Sequence, residues 1–132
     1  MDQILLPVAG QPLQNASKFL TGFAETHQIA SELTQSLLII ADELISNTIK
    51  YGEAEELRLS LDLGSEKQLT LIYSDDGNPF NPLAADLPDL DTPVEDRDIG
   101  GLGLMMVQSM TETQEYERMD DLNVLVLTLR ID

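Results

Sequence analysis

Apolar residues recur along the chain with two different periods. The opening run Ile4-Leu5-Leu6-Pro7-Val8, ending at Gly10, reads as a strand. Pro7 has no N–H to give a ladder, which places that strand at a sheet edge. Leu13, Ala16, Leu20 and Phe23 then recur at three- and four-residue spacing, predicting an amphipathic helix over 12–26 with Pro12 in its first turn. A second helix is predicted over 31–51. Ser31, Glu32 and Gln35 supply capping chemistry at its start, and Leu33, Leu37, Ile40, Leu44 and Thr48 form the inward stripe. Gly52 stands where a C-cap is expected.

The period then drops to two. Leu57, Leu59, Leu61 and Leu63 alternate with polar residues, as do Leu69, Leu71 and Tyr73, with Gly64-Ser65-Glu66-Lys67 between them as a turn. This is the pattern of a β-hairpin. Residues 75–100 lose periodicity: Pro79, Pro82, Pro88 and Pro93 fall here, and six acids and one base lie between Asp86 and Asp98. Apolar periodicity resumes afterwards, so this stretch reads as a long functional loop inside a domain. A short apolar helix follows over 104–110, then a second hairpin over 113–119 and 122–131 with Asp120-Asp121 as its turn. The order β-α-α-β-β-loop-α-β-β predicts one α+β domain over 1–132. Its expected architecture is a two-layer sandwich, with a mixed, mostly antiparallel sheet carrying helices on one face.

Charge narrows the functional classes. The 132 residues hold 24 acids and 7 bases, a formal net charge of −17. Nucleic-acid binding needs Lys and Arg to displace counterions, and an anionic membrane surface needs them too, so neither partner is expected. No cysteine is present, which excludes disulfide frameworks and Cys-ligated zinc, and one histidine excludes any site that needs two. No apolar run approaches a membrane span, and the N-terminus lacks a basic region followed by an apolar one. A cytoplasmic location is the expectation.

Three segments carry candidate chemistry. Glu43, Asn47 and Lys50 sit at i, i+4 and i+7, on a helix face that borders the inward stripe. A carboxylate and an amide at the lip of a core suit an Mg–phosphate site, because Mg²⁺ takes hard oxygen ligands and keeps several waters. The same spacing also suits a solvated Glu–Lys face. In Ser74-Asp75-Asp76-Gly77-Asn78-Pro79-Phe80, a strand-end aspartate can accept a hydrogen bond from an exocyclic amine such as N6 of adenine. The same residues also compose an ordinary turn. Gly100-Gly101-Leu102-Gly103 opens a helix, and a glycine-rich helix start offers backbone N–H groups to an anion. It matches neither the dinucleotide fingerprint nor a P-loop.

Taken together, DELISNTIKYG (Asp42 to Gly52), DDGNPF (Asp75 to Phe80) and GGLGL (Gly100 to Leu104) resemble the N box and the two glycine boxes of the GHKL ATPase superfamily. Asn47 and Asp75 lie 28 positions apart and Asp75 and Gly101 lie 26 apart, spacings similar to those of its small members. Within that group the chain looks most like the anti-sigma factor serine-protein kinases, over nearly its whole length. The resemblance implies the Bergerat, histidine-kinase-like ATPase fold, with ATP and Mg²⁺ as cofactors. It implies Glu43 as the general base, Asn47 as the Mg²⁺ ligand, and Lys50 as a residue within reach of a phosphate. It further implies Asp75 as the partner of the adenine amine, Gly77 as the turn beneath the base, and Gly101, Leu102, Gly103 and Leu104 as the phosphate-wrapping segment. Pro79 stands where many members have a second glycine. Ile99 stands where some have an arginine, with Arg97 nearby.

The function so implied is ATP- and Mg-dependent phosphorylation of a serine or threonine on a small STAS-type antagonist. A sigma factor or other regulator is a further partner, and a homodimer is the implied assembly. The alternatives are a non-catalytic nucleotide-binding partner switch and a histidine-kinase-like catalytic domain acting in trans. His27 reads as a structural or surface residue. Met105, Met106 and Met110, at helical spacing, read as core.

Overall fold

The structure is a computed structural model, and it describes residues 2–64, 67–84 and 105–131. Strand β1 (Asp2–Pro7) leads through a short 3₁₀ turn into helices α1 (Pro12–Thr26) and α2 (Ser31–Asn47). Strands β2 (Glu56–Leu63) and β3 (Gln68–Asp75) follow, then one helical turn at 105–109, here α3, then strands β4 (Thr113–Met119) and β5 (Leu122–Arg130). The sheet order is β1-β2-β3-β5-β4.

Pairing is antiparallel at all four interfaces, so the sheet expected to be mixed and mostly antiparallel has no parallel pair among the described strands. Two of these pairs, β2–β3 and β4–β5, are hairpins and must run antiparallel, while β1–β2 and β3–β5 are joined through helical segments. β1 lies at an edge, as Pro7 predicts. The β4–β5 turn places Asp120 and Asp121 at φ of 51° and 64°, the left-handed pair that a two-residue hairpin requires.

The alternation in the sequence becomes a two-sided sheet. Leu57, Leu59, Leu61, Leu69, Leu71, Leu125, Leu127 and Leu129 point to one face and are almost fully buried. There they meet Ala16, Leu20 and Phe23 of α1 and Leu37, Ile40, Ala41, Leu44 and Ile45 of α2. Each fully buried leucine contributes roughly 1.5–3 kcal/mol by leaving water.

Several local expectations change. Leu13 is exposed although it shares the spacing of the α1 stripe, while Pro12 beside it is buried. Ser31 is the first helical residue of α2 and not its cap: Ala30 holds the N-cap position and makes no side-chain cap. Met105 and Met106 are exposed. Of the described residues here, Val107 is the one buried in the core, with Met110 packed partly against it. His27 lies at the end of α1, its ring 4.4 Å from that of Phe23 and its Nε2 3.8 Å from Asp2 Oδ2, a structural tie to β1.

Candidate functional site

The end of α2 departs from regular geometry. The helix predicted over 31–51 is α-helical as far as Asn47 and then widens into one π turn, Thr48–Gly52. The Thr48 hydroxyl reaches back to the Leu44 carbonyl at 3.0 Å, and the Tyr73 hydroxyl donates to the same carbonyl at 3.3 Å. Such widened turns recur where a helix must turn side chains toward a site. The turn ends at Glu53, whose φ of 53° gives the left-handed residue expected at Gly52. Gly52 instead offers its carbonyl to the Asn78 N–H at 2.7 Å.

Asn47 is buried, and its side-chain Nδ2 donates to Glu43 Oε1 at 3.0 Å. An ionised carboxylate only accepts, so Glu43 must take the nitrogen side of the amide. That turns the Asn47 oxygen away from Glu43, and it has no hydrogen-bond partner among the described residues. Glu43 is half-buried one helical turn before Asn47. Lys50, the third member of the expected face, is exposed in the π turn and does not line the neighbouring pocket. The change from 3.6 residues per turn to the wider turn takes it off the Glu43–Asn47 line.

Asp75 ends β3 and is 7% exposed. Its Oδ1 accepts from the Gly77 N–H at 2.9 Å and from Asn123 Nδ2 at 3.0 Å, and its Oδ2 lies 3.4 Å from the Thr48 hydroxyl. Thr48 is also hydrogen-bonded to Tyr73. Burial, reinforced by the charge of Asp75 and opposed by the Thr48 hydrogen bond, pushes the Tyr73 hydroxyl far above its ordinary value. Tyr73 therefore stays a proton donor. The Tyr73 and Thr48 hydroxyls, with one proton each, thus share two acceptors, the Leu44 carbonyl and the Asp75 carboxylate.

The loop after β3 is held from four sides. Asp76 Oδ1 accepts the N–H groups of Glu55 at 2.8 Å and Glu56 at 3.1 Å, and these bonds hold its carboxyl below the usual range. Arg118 on β4 donates to the Gly77 carbonyl at 2.8 Å. The Gly52 carbonyl takes Asn78, and Asn123 on β5 takes both the Asn78 carbonyl and the Phe80 N–H. Gly77, expected to allow the turn beneath the base, lies in that turn with its N–H on Asp75. No described glycine has a positive φ, and the reason for this one is close approach to the Gly52 carbonyl.

These residues surround a pocket with an empty volume of about 340 Å³ that includes its open mouth. Leu44, Phe80, Pro82, Tyr116 and Leu125 provide apolar walls, while Asn47, Thr48, Tyr73, Asp75 and Asn123 converge on it as polar groups. Apolar walls with a few placed polar groups are the usual make-up of a small-molecule site. The fold thus brings Asn47, with Glu43 bonded to it, to the same pocket as Asp75, and packs Gly77 beneath. Gly101, Leu102, Gly103 and Leu104, expected to wrap phosphates, lie outside the described residues, as do Ile99 and Arg97.

Four pocket-lining residues are assigned no role by the motifs, although Thr48 lies within Asp42 to Gly52. Thr48 and Tyr73 read from sequence as members of apolar stripes, and Tyr116 and Asn123 have no role assigned by the pattern. Asn123 leaves one usable signal: it is the polar member of the inward series Asn123, Leu125, Leu127, Leu129, just as Asp75 is the polar member of Leu69, Leu71, Tyr73, Asp75.

The donor set also fits an Mg²⁺ ion. Among the described residues the Asn47 amide oxygen has no hydrogen-bond partner, and no cluster of three or more acidic or histidine side chains capable of caging a metal occurs. A metal held by one protein oxygen and by phosphates is the usual Mg–nucleotide arrangement. Among the described residues no helix is long and apolar enough to cross a membrane.

Comparison with known proteins agrees with this geometry. Residues 7–129 match the family described as histidine kinase-like ATPase domain. The serine/threonine-protein kinase BtrW of Bordetella bronchiseptica is 26% identical over 131 residues, covering 96% of this chain and 92% of that protein. Among solved structures, the histidine kinase AdeS of Acinetobacter baumannii superposes with a TM-score of 0.53 at 16% identity, covering 100% of this chain and 68% of that one. The histidine kinase domain of the blue-light activated kinase of Erythrobacter litoralis EL346 gives 0.53 at 10% identity. That match covers 95% of this chain, which spans 61% of the length of that structure, and at such identities the likeness is one of fold.

Proposed function

The chain belongs to the histidine kinase-like ATPase domain family, and on that premise we propose that it is an ATP- and Mg²⁺-dependent protein serine/threonine kinase of the anti-sigma factor type. Its proposed substrate is a hydroxyl on a small STAS-type antagonist, within a partner-switching system that also engages a sigma factor or similar regulator. The observation that carries the reading is that Asn47 lines the same pocket as Asp75 while its amide is held by Glu43, which lies one helical turn earlier and lines the neighbouring groove beside Ile39 and Met106. A carboxylate one turn from an amide whose oxygen has no partner among the described residues can act as a general base beside a metal-held phosphate. The 26% identity to a protein named as a serine/threonine-protein kinase supports the choice of acceptor.

In this reading the residues divide the work. Asp75 accepts a hydrogen bond from the exocyclic amine of the base. The apolar walls exclude water from the ring. Asn47 would hold Mg²⁺ through its open oxygen, and the bound ion would neutralise phosphate charge. Glu43 takes the proton from the attacking hydroxyl as that oxygen bonds to the γ-phosphorus. The bond from the γ-phosphorus to the bridging oxygen breaks, and ADP leaves with its electron pair. Positioning and charge neutralisation supply most of the rate enhancement in such transfers.

The test is Glu43→Gln with labelled ATP and a STAS-domain candidate, with each product also washed in acid. The variant keeps size and hydrogen bonding, so it should bind Mg-ATP like the parent and lose transfer by about 10²–10⁴-fold. No labelled product with the unmodified chain would leave a non-catalytic nucleotide switch. An acid-labile product would point to phosphohistidine and to histidine-kinase-like action in trans.

A further inference from the structure

Asp75 and Asn123 face each other as registered partners in the β3–β5 ladder. Both are polar ends of otherwise leucine-rich inward rows, and Asn123 is 6% exposed. A buried asparagine is tolerated when its amide is satisfied, and this one uses its full capacity. Its two N–H groups go to Asp75 Oδ1 at 3.0 Å and the Asn78 carbonyl at 2.7 Å. Its oxygen accepts from the Tyr116 hydroxyl at 2.6 Å and the Phe80 N–H at 3.1 Å. One side chain thereby joins the carboxylate at the pocket floor, the loop that carries the Phe80 wall, and the neighbouring edge strand.

We propose that Asn123 is a positioning residue for base recognition. Together with the Gly77 N–H it saturates Asp75 Oδ1, leaving Oδ2, whose only hydrogen-bond contact among the described residues is the Thr48 hydroxyl at 3.4 Å, as the carboxylate oxygen with capacity for a nucleobase. The inference rests on the nucleotide-binding reading above. Its consequence is a preference between bases. An open carboxylate oxygen next to hydroxyl donors accepts from an amine, as adenine offers at its exocyclic position. It repels a carbonyl oxygen, as guanine offers there. Without Asn123 the carboxylate is free to rotate, either oxygen reaches the base, and Phe80 loses its anchor. Adenine affinity and discrimination against guanine should then fall together. Loss of a hydrogen bond to a charged group corresponds to about 10- to 100-fold in affinity.

Asn123→Asp tests this, because it keeps shape and removes both donors. The ionisable groups around the position are Asp75 and Tyr73 on β3 and Tyr116 and Arg118 on β4. Burial and the adjacent Asp75 carboxylate both raise the pKa of the introduced carboxyl. At high pH it repels Asp75. As pH falls it takes up a proton and donates to Oδ1 as the amide did.

Calorimetry with Mg-ATP and Mg-GTP on the full chain, between pH 8 and 5.5, reads the outcome. The expected result at pH 8 is an ATP affinity about 10- to 100-fold below the parent, with a smaller loss for GTP. The ratio of variant to parent affinity should recover toward pH 5.5, a comparison in which titration of the nucleotide itself cancels. Equal losses for both nucleotides with a flat pH ratio would make Asn123 a fold-supporting residue and overturn the proposal, as would unchanged binding. Failure of the parent to bind ATP would sink the nucleotide reading itself, a distinct result. Should Asn123→Asp not fold, Tyr116→Phe decides. It removes the hydroxyl that fixes the Asn123 oxygen and should narrow the ATP-to-GTP preference, and an unchanged preference overturns the proposal.

Discussion

The carbonyl of Gly52 and the α-carbon of Gly77 are packed so closely that no side chain fits between them. A β-carbon on Gly77 would overlap the Gly52 oxygen and stand 3.0 Å from its carbonyl carbon and from Asp75 Oδ1. The neighbours are backbone and a clamped carboxylate, so they cannot step aside cheaply. Gly77→Ala should destabilise the fold by about 1–3 kcal/mol through overpacking. It should weaken ATP binding as well, because the displaced atoms are those that hold Asp75. Urea unfolding and nucleotide titration check both effects, and an alanine variant with parental stability would show that the contact is loose.

Asp75→Asn probes the other side of that contact. The N–H groups of Gly77 and Asn123 both need an acceptor at Oδ1, so the introduced amide must place its oxygen there. Its NH₂ then faces the base, donor against the donor of an exocyclic amine. ATP affinity should fall by about 1–3 kcal/mol, the penalty for leaving polar groups unmatched. Calorimetry showing an unchanged affinity would remove Asp75 from the base site.

Asn47 is expected to tolerate neither a smaller residue nor its own acid. Asn47→Ala removes the open oxygen and should abolish the Mg²⁺-dependent part of triphosphate binding while the fold persists. Asn47→Asp supplies a harder oxygen, but it replaces the donor that Glu43 accepts with a second carboxylate. It should therefore weaken Mg-ATP binding by about tenfold or more despite its apparent suitability for a metal. If either variant binds Mg-ATP like the parent, the ligand assignment fails.

Asp76 should leave a signature in acid. Its carboxyl is held below the usual range by the N–H groups of Glu56 and Glu55. A depressed carboxylate adds stability that is complete above the unfolded pKa of about 4 and disappears as pH falls through the folded value. The stability difference between parent and Asp76→Asn should thus be constant above about pH 5 and shrink as pH falls below about 4. The exposure of Asp76 keeps the effect small. A difference that stays constant down to pH 2.5 in urea titrations would show that these bonds do not favour the charged form.

Periodicity alone is enough for the element order, because burial on one face of a strand or helix writes itself into every second or every third and fourth residue. The leucine rows of β2, β3 and β5 and the stripe of α2 are such records, legible in the order of residues alone. So are Glu43, Asn47 and Asp75, since a polar residue beside or within an inward series invites explanation. What residue order does not supply is the chemistry made between distant segments. The grip of Glu43 on Asn47 needs a regular helical turn, and Lys50 lies beyond it in the π turn, next to which Tyr73 of β3 donates to the Leu44 carbonyl. The saturation of Asp75 Oδ1 needs the β3–β5 register to bring a residue 48 positions away within 3.0 Å. The reason for glycine at 77 lies in the carbonyl of Gly52, across a loop closed by tertiary packing. Local pattern determines which face is buried. Strand register and loop closure decide which polar groups meet there, because hydrogen bonds depend on tenths of an ångström that one-dimensional spacing does not encode.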